Sequence, residues 1–176
     1  AVKHFIDEMR DSDQANIIAF DSRVSVVANM GANKSSLKFA VGKIHPGGAT
    51  ALYDAIAKAA THLYNESGAR IIVFLTDGDD TGSKFRLRDI KNMNLSEGIF
   101  IYGIGLGNVN KRALDELIGA TGGAYFGVSS SNDLYTIYDR VLNAYYSDYG
   151  NNMASTSNMT IRSIPSNQAV IIDGQS

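Results

Sequence analysis

The stretch Arg70-Ile-Ile-Val-Phe-Leu-Thr-Asp-Gly-Asp-Asp80 constrains the chain most. Five consecutive large apolar residues, Ile71 to Leu75, three of them β-branched, make too short a run for a helix and suit a strand buried on both faces. Such a strand belongs at the centre of a parallel sheet. Asp77 then falls at its carboxyl end, where open α/β sheets gather ligands because strand ends and helix amino-termini converge there. Thr76-Asp77-Gly78 also meets the chemistry of an ordinary turn, so position alone leaves both readings open.

The flanking sequence alternates helix and strand signals. Val2, Phe5, Ile6 and Met9 share one helical face. Ala15 to Phe20 and Arg23 to Ala28 read as two strands of a hairpin joined at Asp21-Ser22. Ser35-Ser36 is expected to cap a short helix ending at Ile44. His45-Pro-Gly-Gly-Ala-Thr50 must be loop, and the alanine-rich stretch 51–64 a helix with Leu52, Ile56, Ala59, Ala60 and Leu63 facing the sheet. Thr50 stands just before that helix, where a cap is its plainest role. Downstream, 85–92 reads as a short helix and 99–106 as another buried strand, whose glycines at 103, 105 and 107 mark close backbone approaches. Their spacing is not that of a dinucleotide loop. Asn110 is expected to cap a helix carrying Leu114, Leu117 and Ile118, then Ala124 to Val128 forms an edge strand, and Asn132 caps a last long helix.

This order implies an α/β fold: a doubly wound, mostly parallel sheet with helices on both faces and one antiparallel edge strand. Length agrees with one domain, since 176 residues are close to the usual size. The core is expected over residues 1–149, with linker composition over 150–166. Residues 167–176 contain a second buried-strand signal, Gln168 to Asp173, which again ends in aspartate. The net charge of -2 gives no electrostatic reason for nucleic acid or an anionic membrane. No apolar stretch reaches the roughly 20 residues of a membrane span, no signal peptide opens the sequence, and the first residue is not methionine, as in a fragment. Cysteine is absent, so a metal must be held by oxygen or imidazole; His4, His45 and His62 lie in separate elements without ligand spacing. Tyr145, Tyr146 and Tyr149 suit either a partner or packing of the last helix. Asn33, Asn65, Asn94 and Asn158 match the glycosylation acceptor pattern, which needs a secretory context to matter.

Four motifs, in order and at compatible spacing, resemble the von Willebrand factor A domain. They are Gly47-Gly-Ala-Thr50-Ala-Leu-Tyr-Asp-Ala-Ile, Ile72-Val-Phe-Leu-Thr-Asp77-Gly, Ile101-Tyr-Gly-Ile-Gly-Leu-Gly107, and Leu114 through Thr121-Gly-Gly to Tyr125-Phe126. The resemblance implies a metal-ion-dependent adhesion site (MIDAS), which maps onto Thr50 and Asp77. The family's third loop, Asp-x-Ser-x-Ser after the first strand, has no counterpart before residue 2. Val170-Ile-Ile-Asp173-Gly-Gln-Ser176 resembles it, with Gln175 where the family has serine and Ser176 one place late. Circular permutation, a truncated second copy, or a strand swapped into a neighbouring molecule each accounts for that position.

The resemblance thus implies a metal set of Asp173, Ser176, Thr50 and Asp77. Hydroxyls and carboxylates without sulfur favour Mg²⁺, Mn²⁺ or Ca²⁺, with Mg²⁺ first. It further implies no catalysis, but adhesion to another protein whose Asp or Glu completes the cation's shell. Gln175 keeps a metal-free scaffold domain open as an alternative. A rival of another class is also present: Phe74 to Thr81 resembles the haloacid-dehalogenase phosphatase motif, with Asp77 as nucleophile, Asp79 as general acid and Mg²⁺ as cofactor.

Overall fold

The computed structural model describes residues 2–31, 33–45, 47–66, 69–93, 95, 98–107, 109–119, 121–130, 133–154 and 168–173, with backbone alone for 145, 146, 148–154 and 168–173. The elements in chain order are α1 (Val2–Glu8), β1 (Gln14–Phe20), β2 (Val24–Ala28), α2 (Lys34–Val41), α3 (Leu52–Leu63), β3 (Arg70–Thr76), α4 (Leu87–Lys91), β4 (Ile99–Leu106), α5 (Lys111–Ile118), β5 (Ala124–Val128), α6 (Leu134–Ala154) and β6 (Gln168–Asp173).

The six strands among the described residues form one sheet in the order β2-β1-β6-β3-β4-β5. β2 pairs antiparallel with β1 at one edge, and every other neighbouring pair is parallel. β3 is central and buried from Ile71 to Thr76, as its unbroken apolar run requires. β5 is the opposite edge.

Strand alternation divides the core into two layers. Ile71, Val73 and Leu75 of β3, with Tyr102 and Ile104 of β4, pack among Phe5, Leu37 and Tyr138 from α1, α2 and α6. Ile72, Phe74, Ile99 and Ile101 face the other way, against Ile56 of α3, Ile90 of α4 and Leu117 of α5. Burying each such side chain is worth roughly 1.5–3 kcal/mol relative to leaving it in water, so a strand that feeds both layers anchors the fold. Val2, Phe5, Ile6 and Met9 are all buried, as their spacing requires.

Three local expectations shift. α2 is capped by Asn33, whose Oδ1 accepts from Ser36 N at 2.8 Å; Ser35 and Ser36 lie inside the first turn. Asn33 has the extended backbone that an N-cap needs, so the helix starts one residue before the serines. α4 begins at Leu87 rather than Phe85, because Lys84 N and Phe85 N both donate to Asp54 Oδ1 at 2.9 Å and Arg86 is extended. α6 continues to Ala154, past the point where linker composition begins, since extending an existing helix is far easier than starting one. Asn132, the expected cap of α6, lies outside the described residues.

β6 runs parallel between β1 and β3, with Asp173 level with Ala19 on one side and Leu75 on the other. Asp77 lies two residues beyond Leu75. The backbone positions of Asp173 and Asp77 therefore share the carboxyl edge of the sheet, although 95 residues separate them in sequence.

Candidate metal site at the carboxyl edge of the sheet

Four loops meet at this edge: Asp21–Arg23 after β1, 47–51 before α3, 77–86 after β3, and 109–110 after β4. The Thr50 loop is held from two sides. From β1, Ser22 Oγ accepts from Ala49 N at 2.9 Å and Asp21 O accepts from Ala51 N at 2.8 Å. Gly48 makes this approach possible: its φ is +89° and a Cβ there would stand 2.6 Å from Ser22 Oγ. From the β3 side, Thr50 N donates to Thr81 Oγ1 at 3.1 Å, and Thr50 O accepts from Thr81 N at 2.9 Å and Gly82 N at 3.0 Å.

Thr50 is 7% exposed, and its hydroxyl makes no hydrogen bond with any described residue. It does not cap α3. Ala51 holds the N-cap position without a side-chain bond. The orphan amides of the first turn are met from the β3 loop instead: Tyr53 N donates to Asp80 Oδ2 at 3.0 Å and Asp54 N to Ser83 Oγ at 3.0 Å. Those bonds leave the Thr50 hydroxyl out of the helix ladder, at a surface that a ligand can reach.

Asp77 is half-buried immediately after β3. Thr76, fully buried, accepts from Gly78 N at 3.3 Å and donates to Gly78 O at 2.8 Å, which folds the turn back on the strand end. Asp79 is exposed and accepts from Asn110 N at 2.6 Å, joining this loop to the start of α5. Asp80 is half-buried; its Oδ2 also accepts from Ser83 Oγ at 2.5 Å and its Oδ1 from Ser83 N at 3.3 Å. Neither acid is a bare rim charge. Tyr53 sits against this group, and burial, followed by the carboxylates of Asp80, Asp79 and Glu116, raises its phenol above the ordinary value of 10.0.

The backbone of Asp173 reaches the same edge, whereas Gln175 and Ser176 lie outside the described residues. Among the described residues no three His, Asp or Glu side chains cluster as a metal site. A cation here would rest on few charges and on hydroxyl oxygen, a donor set that fits a hard divalent ion retaining water. The three histidines do not converge: His4 pairs with Asp139 at 2.9 Å, His45 is exposed and His62 lies in the last turn of α3. No described helix is long and apolar enough to cross a membrane.

Sequence reasoning missed Ser22, Asp54, Asp80, Thr81 and Ser83 as the residues that fix these loops. Only the Asp80 to Ser83 turn had a local signal, its three-residue spacing. The other bonds join positions 27 to 31 residues apart.

Comparison with solved structures gives the same fold. A von Willebrand factor type A protein from Catenulispora acidiphila is 21% identical with a TM-score of 0.70, covering 78% of this chain and 35% of that one. The conserved hypothetical protein BatB from Bacteroides thetaiotaomicron is 18% identical with a TM-score of 0.68, covering 83% and 85% respectively. Proximal thread matrix protein 1 from the mussel byssus, solved with zinc in its MIDAS motif, is 24% identical with a TM-score of 0.70, covering 81% and 38%. The chain thus spans little more than a third of the Catenulispora and mussel proteins. No curated protein matches it in sequence. The family model for the von Willebrand factor type A domain matches residues 1–140, and with that match covering most of its length the chain belongs to this family.

Proposed function

We propose that this domain binds another protein by presenting a divalent cation, Mg²⁺ first among candidates, whose shell is completed by an Asp or Glu of the partner. Domains of this family commonly serve protein interaction, and the zinc-occupied MIDAS motif of the mussel relative is a precedent for a divalent cation in such a motif. In this reading Thr50 and Asp77 hold the ion, with Asp173 and Ser176 contributing from the end of β6. With few carboxylates among its ligands, the cation stays electrophilic toward an incoming acid. β6 would then occupy the place of the family's first strand while arriving from the carboxyl-terminal side, as in a circular permutation.

The observation that carries the reading is the Thr50 hydroxyl: on a buried residue yet open to solvent, hydrogen-bonded to no described residue, and on a loop fastened to the one that carries Asp77. Its oxygen is not among the sealed, unpartnered polar atoms of the described residues, so it stays open to an ion or to water. The acid–base role that a phosphatase would give Asp79 is less well served, because that carboxylate already accepts from Asn110 N.

Calorimetric titration with Mg²⁺ and with Mn²⁺ tests this. One saturable site in the wild type, lost in folded Thr50→Ala and Asp77→Ala variants, is expected. Absence of binding at millimolar cation leaves the metal-free scaffold. Hydrolysis of a generic phosphate ester that disappears in Asp79→Asn would point to the enzyme instead.

A further inference from the structure

We infer that Thr81 and Asp80 are positioning residues for the cation site: they lock the loop that carries Thr50 onto the loop that carries Asp77, so that the two donors are spaced before any cation arrives. The inference rests on the cation-binding reading above and adds to it the residues that set affinity.

The lock has two tiers. In the first, segment 81–82 satisfies both backbone groups of Thr50, through Thr81 Oγ1 at 3.1 Å, Thr81 N at 2.9 Å and Gly82 N at 3.0 Å. The hydroxyl is left as the one polar group of Thr50 without a partner among the described residues. In the second tier the loop clamps the amino-terminal turn of α3 reciprocally. Asp80 and Ser83 accept from Tyr53 N and Asp54 N, while Asp54 Oδ1 accepts in return from Lys84 N and Phe85 N. Both loops are thereby tied to α3 and to β3, which rigid packing holds in the core.

Two consequences follow for binding. A preorganised donor pair avoids the ordering entropy that two independent loops would lose on taking up an ion. Asp80, moreover, spends its carboxylate on Tyr53 N, Ser83 N and Ser83 Oγ, so it holds the site together rather than ligating from it. The relevant property at Asp80 and Thr81 is a hydrogen-bond acceptor at a fixed place, and conservative replacements should keep the affinity to the extent that they keep the acceptor.

Mn²⁺ titration, followed by water-proton relaxation at a temperature well below melting, separates the possibilities. Thr81→Val keeps the shape of the side chain and removes the acceptor, leaving Thr50 N without its partner; Mn²⁺ affinity is expected to fall about tenfold. Thr81→Ser restores the acceptor and should bind within about twofold of wild type, a rescue that a general loss of stability would not give. Asp80→Asn, whose one amide oxygen can keep the bonds from Tyr53 N and Ser83 Oγ but not the one from Ser83 N, and Asp80→Ala form a second pair, with affinity lowered less in the first than in the second, and they carry the test if Thr81→Val does not fold. Equal affinity in wild type and Thr81→Val, or equal loss in Thr81→Val and Thr81→Ser, overturns the positioning role alone. Loss of binding in Asp80→Asn as complete as in Asp77→Ala would make Asp80 a ligand and overturn it too. Failure of the wild type to bind Mn²⁺ removes the underlying reading and this inference with it.

Discussion

A Cβ built on Gly103 would stand 2.5 Å from Cζ of Phe74 on the neighbouring strand and 2.8 Å from Cδ1 of Ile118 on α5. The glycine on β4 is therefore where Phe74 and α5 close over the sheet, in the layer opposite α6. Gly123 is tighter, and its neighbour is backbone: a Cβ there would fall 1.8 Å from Ile101 O. Side chains can yield where a strand cannot. Gly103→Ala is expected to destabilise by about 1–3 kcal/mol, the usual cost of overpacking, and Gly123→Ala by the upper end of that range or beyond. Urea unfolding of both variants checks the order; a smaller loss at Gly123 would contradict it.

The same logic of irreplaceable backbone applies to β6, which hydrogen-bonds to β1 on one side and β3 on the other. A proline there removes a ladder donor from a strand with neighbours on both sides. Ile171→Pro should lower stability by on the order of 3 kcal/mol. An unchanged urea midpoint would mean that residues 168–173 do not occupy this place. A midpoint that rises with protein concentration, with a dimer on size exclusion, would mean that the strand is exchanged between molecules.

The fold was legible in the sequence wherever one element carries its own evidence. Val2, Phe5, Ile6 and Met9 reveal a helical face by spacing alone, and Ile71 to Leu75 reveal a doubly buried strand by composition alone. Asn110 shows its role three residues on, where its Oδ1 accepts from Ala113 N at 3.2 Å. Thr50 shows the limit of such reasoning. The local rule assigns it to capping, yet Asp80, 27 residues after Tyr53, meets that helix turn from across the edge. Nothing along the chain announces which distant carboxylate will arrive first. Gly103 and Gly105 were legible as close approaches, but not that Phe74, Ile118 and Tyr125 would be what approaches; Gly107, expected to be a third, has nothing within 4 Å of its Cβ position and serves instead a φ of +77°.

Capping at α2 gives a sharper contrast between what spacing favours and what the structure contains. Asn33 Oδ1 takes Ser36 N, while Ser35 and Ser36 are ordinary first-turn residues. Asn33→Ala should therefore cost about 0.5–2 kcal/mol, and Asn33→Ser or Asn33→Asp much less. Ser35→Ala and Ser36→Ala are expected to be close to neutral, or slightly stabilising, because alanine is the better helix former. Thermal melts of the five variants decide the matter, and a loss at Ser35 larger than that at Asn33 would return the cap to the serines.

His62 supplies the pH dependence that the fold most clearly builds in. It lies in the last turn of α3, where the helix dipole would by itself favour the protonated ring. Burial, and then the ammonium of Lys58 one turn before it, outweigh the dipole and lower its pKa below the ordinary 6.5. The sign follows from proton binding. Above 6.5 the ring is neutral in both folded and unfolded chains and contributes nothing to the pH dependence. As pH falls below 6.5 the unfolded chain takes up the proton first, so acidification draws the equilibrium toward unfolding until pH passes the folded value, below which the loss is complete. Relative to wild type, His62→Gln should lose less stability across that window, and Lys58→Ala should fall between the two. Urea midpoints at several pH values above and below 6.5 measure the slopes. Titration of the His62 ring protons by NMR measures the folded pKa directly. Parallel slopes in wild type and His62→Gln would show that the acid sensitivity of the fold resides elsewhere.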